Sequence, residues 1–186
     1  VTSREMEASA LAINEQRFAS NIKNVLSTDE FGNVAEGNAA EFLKFLPGVT
    51  IDYTGGNARD ISINGVPSNN VPVTLDGFGI ASAPGNATGR SVASDMISIN
   101  NLSRIEVSYS PTPESQGSAL AGSVNMVPRS AFERVKPVLN ASVYVIMRDN
   151  ARDFNKVPGP KPSPTRNVHP GFDFAYVAPV NKRFGY

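Results

Sequence analysis

Between Leu46 and Asp76 apolar and polar residues alternate in three short runs, separated by segments rich in Gly and Asn. Val49 and Ile51 alternate with Thr50 and Asp52, and Ile61 and Ile63 with Ser62 and Asn64. Val71, Val73 and Leu75 alternate with Pro72, Thr74 and Asp76. A period of two puts each apolar set on one face, so each run predicts a half-buried strand of a mixed or antiparallel sheet. Pro72 has no N–H for a ladder, so the third strand is expected to begin late or to lie at an edge. Residues 53–58 and 64–70 are the expected turns. The pattern returns downstream, where Ile105, Val107 and Tyr109 alternate with Glu106, Ser108 and Ser110, and Val124 and Met126 face inward within 123–127. Ile61, Ile63, Leu75, Ile105 and Val107 are the expected core.

A helix is expected just before this frame. Asn38 is followed three residues later by Glu41, then by Phe42, Leu43, Phe45 and Leu46, a capping-box pattern with Asn as the cap. Pro47-Gly48 stops it, because Pro cannot continue a helix and Gly tolerates a left-handed exit. At the front end a strap leads into a helix ending near Ala19, with Ser3 as N-cap and Met6, Ala10, Leu11 and Ile13 as a rough stripe. Residues 21–31 predict a strand and a short helical turn anchored by Ile22, Val25, Leu26 and Phe31.

Residues 77–90 are mostly Gly, Ala, Ser, Pro and Asn with a single Phe, too poor in large apolar side chains to pack, and so predict a surface loop suited to recognition. Val92, Met96 and Ile97 fall at helical spacing and predict a short helix over 91–99. After Arg129 the texture changes. Leu139, Ala141, Val143, Val145 and Met147 alternate with Asn140, Ser142 and Tyr144, over a length that matches the ~9–11 residues of a membrane barrel strand. A proline-rich loop follows, taken to hold His169, and then Phe172, Phe174 and Tyr176 alternate on one face.

Composition removes several classes of function. The 186 residues contain no Cys, which rules out disulfides, thiolate metal sites and Cys nucleophiles. Lys+Arg and Asp+Glu are 17 each, with no basic stripe, so nucleic acid is not an expected partner. The single His169 has no second His or Cys with which to share a metal, and no serine-nucleophile turn is present. Gly85 and Gly89 lack the Gly-Lys-Ser/Thr ending of a phosphate cradle. No enzymatic activity, catalytic residue, metal or cofactor is expected.

Four stretches in order resemble the plug domain of TonB-dependent outer-membrane receptors. They are Asn38–Leu43 running into Leu46-Pro47-Gly48-Val49, then Ile61–Gly65, then Val73–Gly77, and finally Arg104–Val107 with Pro111, Gly117, Gly122, Val124 and Asn125. Val1–Arg4 resembles the tail of the family's coupling segment. The resemblance implies an α+β plug domain with a small mixed sheet over 1–132, of which 1–20 is the strap and helix. It also implies the first antiparallel strands of an incomplete transmembrane β-barrel over 133–186. It further implies residence in the outer membrane of a Gram-negative-type bacterium, the plug inside the barrel lumen. A TonB-type energy-coupling protein is the implied partner, and the implied ligand is an iron chelate, cobalamin or an oligosaccharide. Tyr53, Asn57, Arg59, Phe78, Asn86 and Arg90 are the ligand-facing candidates. Asn64, Arg104 and Glu106 are the candidates for plug–barrel contact. Asn64 stands where the family carries an Arg that helps pair plug with barrel, so a charge-assisted bond is lost there. Two strands cannot close a barrel, so a fragment of a longer receptor or a truncated product is expected. The competing expectation is a stand-alone, non-enzymatic binding or adhesion module of the envelope.

Overall fold

The computed structural model describes residues 3–31, 37–54, 56–80, 91–131, 137–147, 152–157, 165–181 and 183–185. The chain divides into two compact units, Val1–Ser130 and Ala131–Tyr186.

The first unit opens with helix α1 (Ser3–Phe18), then strand β1 (Lys23–Ser27) and a 3-10 turn (Thr28–Phe31). Helix α2 (Ala39–Leu43) leads into β2 (Val49–Thr54) and β3 (Asn57–Ile63), followed by β4 (Val73–Leu75) and β5 (Phe78–Gly79). Strands β6 (Leu102–Ser108) and β7 (Ser123–Pro128) complete it. A five-stranded sheet runs in the order β1-β6-β7-β4-β5. It is mixed, because β4 runs parallel to β7 while the other neighbours are antiparallel. Strands β2 and β3 form a separate antiparallel hairpin.

One core joins sheet, hairpin and α2. Leu43, Ile61, Ile63, Leu102, Ile105, Met126, Val107 and Val124 are its largest fully buried side chains. Burial of each large aliphatic contributes ~1.5–3 kcal/mol. Ile51 and Ala58 join from the hairpin, Val71 and Val73 from the approach to β4, and Phe31 packs its ring 4.6 Å from that of Phe42 at the margin. Ile61, Ile63, Ile105 and Val107 thus occupy the expected core. Leu75 does not. It is 38% exposed, because β4 is only three residues long and Leu75 meets the turn where the sheet ends. Strand β4 does begin late, after Pro72, whose carbonyl instead accepts from the Val124 N–H.

Two turns set the register. Asn64 and Gly65 both take positive φ, 51° and 76°, and Val66 N donates to Ile63 O at 2.9 Å. Asp76 and Gly77 repeat the geometry at 52° and 81°, closing β4 onto β5 through the Leu75–Phe78 pair. Consecutive left-handed residues make the primed turns whose twist suits a tight hairpin, and Asn-Gly and Asp-Gly are the sequences that reach them with least strain.

Elsewhere the structure departs from the pattern. Helix α1 exposes Ala10, Leu11 and Ile13 and buries Ala12, so the expected stripe is not its packed face. Ile22 is 72% exposed just before β1, whereas Val25 is buried as expected. Only half of the capping box forms. Asn38 accepts from Ala40 N at 3.0 Å, but Glu41 turns away to Lys44 and Tyr53, and the helix has only five residues. The expected helix over 91–99 is absent. Two 3-10 turns, Ser94–Met96 and Ile99–Asn101, replace it. Ala39 N donates to Ile97 O and Ile99 N donates to Gly37 O, so these backbone groups are spent on residues 37–39 and no helical ladder can use them. Met96 is consequently exposed.

The second unit is built on β8 (Val138–Met147) and β11 (Val168–Val177), paired antiparallel over ten register positions from Val138–Val177 to Met147–Val168. Short pairs β9 (Lys156–Val157) with β10 (Thr165–Arg166), and β12 (Pro179–Asn181) with β13 (Phe184–Gly185), flank it. His169 lies in β11 opposite Ile146, not in the expected loop. One face of the pair is apolar and open, with Val143 86%, Phe172 81% and Phe174 64% exposed. The opposite face carries Asn140, Ser142 and Tyr144 beside Ala175, Asp173 and Gly171. That alternation is the pattern of strands with one face to lipid and one to an aqueous lumen. The described residues contain no helix long and apolar enough to cross a membrane.

Candidate functional site

The ligand-facing candidates are scattered over two regions of the first unit and the residues outside the description. Tyr53 and Asn57 are not in a wide turn but in β2 and β3, two strands separated by 55–56 alone, with Tyr53 opposite Ala58 and Asn57 opposite Thr54. The Tyr53 hydroxyl donates to Glu41 Oε2 at 3.2 Å, and Lys44 Nζ lies 2.6 Å from the same oxygen. A register shift, with Asp52 opposite Asp60 and Tyr53 opposite Ala58, leaves Arg59 as a bulge. Its Nε stands 4.0 Å from Asp95 Oδ1, a buried oxygen without a hydrogen bond. Phe78 is not in a loop but in β5, and is 78% exposed. Asn86 and Arg90 lie outside the described residues.

A cleft of about 330 Å³ opens where β4 and β5 meet residues 91–92 and 116–118. Val71, Val73, Ile80 and Val92 give it aliphatic walls. Asn69, Ser91, Gln116 and Ser118 give it amides and hydroxyls. None of the described residues that line it is charged. Nothing in the alternation pattern marks this cleft, because its walls come from segments far apart in sequence.

The candidates for plug–barrel contact resolve into two places. Arg104 and Glu106 are partners on one face of β6, with Nε 2.8 Å from Oε1. Lys23 Nζ approaches Glu106 Oε2 at 3.2 Å from β1, and Asn125 Nδ2 donates to it from β7 at 3.5 Å. Glu15 of α1 extends the seam to Lys23 at 3.8 Å and to Arg104 at 4.0 Å. Burial pushes the Glu106 carboxyl up, but the Arg104 hydrogen bond and the Lys23 and Arg104 charges outweigh it and hold the group below the usual carboxylate range. Asn64 stands apart at its turn, where its N–H donates to Gly48 O at 2.8 Å. A Cβ on Gly48 would meet the Asn64 side-chain oxygen at 2.6 Å, so Gly48 is what lets the two turns nest.

A second charged staple escaped the sequence reading. Arg129, just past β7, places Nη1 2.7 Å from Asp29 Oδ1, donates from Nε to Asn100 O at 3.0 Å, and from Nη2 to Thr28 Oγ1 at 3.2 Å. No local motif announces it, since its partners lie in two 3-10 turns distant in the chain. Among the described residues no group of three or more His, Asp or Glu could hold a metal ion.

A mixed sheet with a braced hairpin, followed in the same chain by long antiparallel strands apolar on one face, defines an α+β domain joined to barrel-type strands. The family model for the TonB-dependent Receptor Plug Domain matches residues 15–124, and the chain belongs to that family. The ferric citrate transporter FecA in its unliganded form is similar in structure, with a TM-score of 0.67 at 18% identity, covering 93% of this chain and 25% of that one. A mutant ferric enterobactin receptor, PfeA of Pseudomonas aeruginosa, gives a TM-score of 0.62 at 18% identity, covering 92% of this chain and 24% of that one. The copper transporter OprC gives 0.51 at 20% identity over 67% of this chain and 19% of its own. The chain thus spans about a quarter of the length of the ferric receptors it resembles. Comparison with curated protein sequences returns no significant match.

Proposed function

We propose that this chain supplies the plug and the first barrel strands of a TonB-dependent outer-membrane transporter, with residues 1–132 as plug and 133–186 opening the barrel. The plug sits in the lumen and occludes it. A TonB-type coupling protein energises its displacement, and a scarce ligand is taken up without enzymatic change. The names of the solved receptors favour an iron chelate, and cobalamin and oligosaccharide are the other classes. The observation that carries the reading is the plug-family match over 15–124 followed by the ten-residue pair β8–β11 with its open apolar face. Tyr53, Asn57, Arg59, Phe78, Asn86 and Arg90 are proposed to face ligand, and Asn64, Arg104 and Glu106 to face the barrel wall. Uptake by the receptor carrying this chain, compared in cells with and without the coupling protein, tests the reading. Uptake that persists unchanged without coupling refutes it. Deleting residues 78–89 tests the ligand-facing assignment, which fails if uptake is unaffected.

A further inference from the structure

Asn125 of β7 holds the β4–β5 turn with one end of its amide and the Glu106 seam with the other. Its Oδ1 accepts from Gly77 N at 2.9 Å and from Thr74 Oγ1 at 2.8 Å. Its Nδ2 donates to Glu106 Oε2 on β6 at 3.5 Å. A backbone N–H can only donate and a carboxylate can only accept, so both neighbours dictate the same orientation of the amide. Turning it over would lose both ends at once. Lys23 Nζ reaches the same Oε2 at 3.2 Å, so amide and ammonium divide one carboxylate oxygen between them. Lys23 also lies 3.8 Å from Glu15 Oε2, and Arg104 lies 4.0 Å from Glu15 Oε1. Two cations are thus shared between Glu106 in the sheet and Glu15 on α1, and both stand nearer to Glu106. The Lys23 and Glu106 side chains are 15% and 12% exposed, so solvent ions screen this sharing weakly. Over residues 9–18, α1 buries Ala12 while Leu11, Ile13 and Phe18 stand open to solvent, so its polar ties through Glu15 and Gln16 weigh heavily in its hold on β1.

We infer that Asn125 is a positioning residue for α1: its amide occupies part of Glu106 Oε2, leaves Lys23 to be shared with Glu15, and so couples the Asp76-Gly77 turn to the helix. When the amide donor is lost, that oxygen falls to the ammonium, Lys23 moves toward Glu106, and α1 loosens at Glu15. The inference stands apart from the transporter reading. Within that reading, the turn adjoins the proposed ligand-facing Phe78, and α1 begins in the segment that resembles the coupling tail. Hydrogen exchange of the 186-residue chain in detergent near neutral pH, read by mass spectrometry, compares residues 9–18 with the hairpin at 49–63. Asn125→Asp is the discriminating variant, because its carboxylate still accepts from Gly77 and Thr74 but no longer donates to Glu106. Residues 9–18 exchange roughly 2–5-fold faster in Asn125→Asp and in Asn125→Leu, while the hairpin is unchanged. In a Glu15→Gln background, which removes the charge that shares Lys23, Asn125→Asp adds no further acceleration, as expected of two changes acting through one network. Wild-type exchange over 9–18 in Asn125→Asp overturns the inference, because Asn125 then only props the turn. Equal acceleration in the hairpin overturns it as a global loss of stability, and so does full acceleration retained with Glu15→Gln. Uptake enters none of these measurements, so the transporter reading stands or falls separately.

Discussion

Arg129 is the residue whose removal the structure prices most clearly. Its side chain is 10% exposed and that of its partner Asp29 20%, and it ties the turn at Thr28–Phe31 to the turn at Ile99–Asn101 across the end of β7. Replacing it with Met keeps most of the aliphatic volume and removes the charge and three donor contacts. Breaking one side of a buried pair costs ~3–5 kcal/mol. Asp29 retains some access to water and recovers part of its hydration, so about 2–4 kcal/mol is expected. Urea unfolding of the chain in detergent, followed by circular dichroism, reads this as a lower midpoint at unchanged slope. The mechanism makes a sharper statement through a double substitution. If the loss comes from an orphaned carboxylate, Arg129→Met with Asp29→Asn is less destabilising than the sum of the two single changes, by at least ~1 kcal/mol. Strict additivity, or a single-variant loss below ~1 kcal/mol, would refute the staple as an energetic unit.

The Glu106 seam gives a pH dependence of definite sign. Its folded carboxyl titrates below the usual carboxylate range, so its stabilisation is fully present above the unfolded pKa and is lost as pH falls through the folded pKa. Stability of the wild type therefore declines on acidification below about pH 4.5 more steeply than that of Glu106→Gln, and parallel curves would sink the assignment. Asn64→Arg places a long side chain at φ 51° and is expected to lower stability by ~1 kcal/mol, whereas Asn64→Gly leaves it within about half that; equal losses in a urea titration would mean that the turn geometry is not the cause. In the second unit a Cβ on Gly171 would run into the Tyr144 ring opposite it, so Gly171→Val displaces the ring. Proton NMR in micelles then shows the Gly171 Hα ring-current shift in the wild type, and a Tyr144→Leu variant that keeps this shift would exclude the ring as its source.

The sequence reading succeeded where chemistry is local and failed where it is long-range. Strands β3, β6, β7 and β8 were legible because a period of two records which face is buried, and Ile61, Ile63, Ile105 and Val107 are indeed inside. The expected helix over 91–99 failed because Ile97 and Ile99 hydrogen-bond to residues 37–39, a competition that no window of sequence reveals. Glu41 left its capping role for a different, partly local reason: Lys44, three residues on, and Tyr53 in β2 offered a charge and a hydroxyl that the backbone N–H could not match. The apolar face of α1 was misread because Ala12, not the larger Leu11 or Ile13, is the side chain the unit accommodates there. The cleft and the Arg129 staple were invisible for one reason: each gathers side chains from segments that meet only when the sheet forms.

Strand β5 is the instructive miss, because its signal was present. The alternation alone ends a strand at Asp76-Gly77 and leaves Phe78 to a loop, yet Asp-Gly after an alternating run is a hairpin signature. Asn64-Gly65 is the same device one strand earlier, and the two turns share nearly the same backbone angles. This reframes the departure from the family at Asn64. A position at φ 51° strains most side chains, and Asn is among the few residues that occupy it readily. The turn therefore accounts for Asn on backbone grounds, without a role for charge at that position. Its amide also nests against Gly48, where any Cβ would meet its oxygen, so residues 48 and 64 fix the exit of α2 to the end of β3. An Arg in that place would gain a charge to offer a partner and would strain this junction. The first unit thus holds this junction by turn geometry.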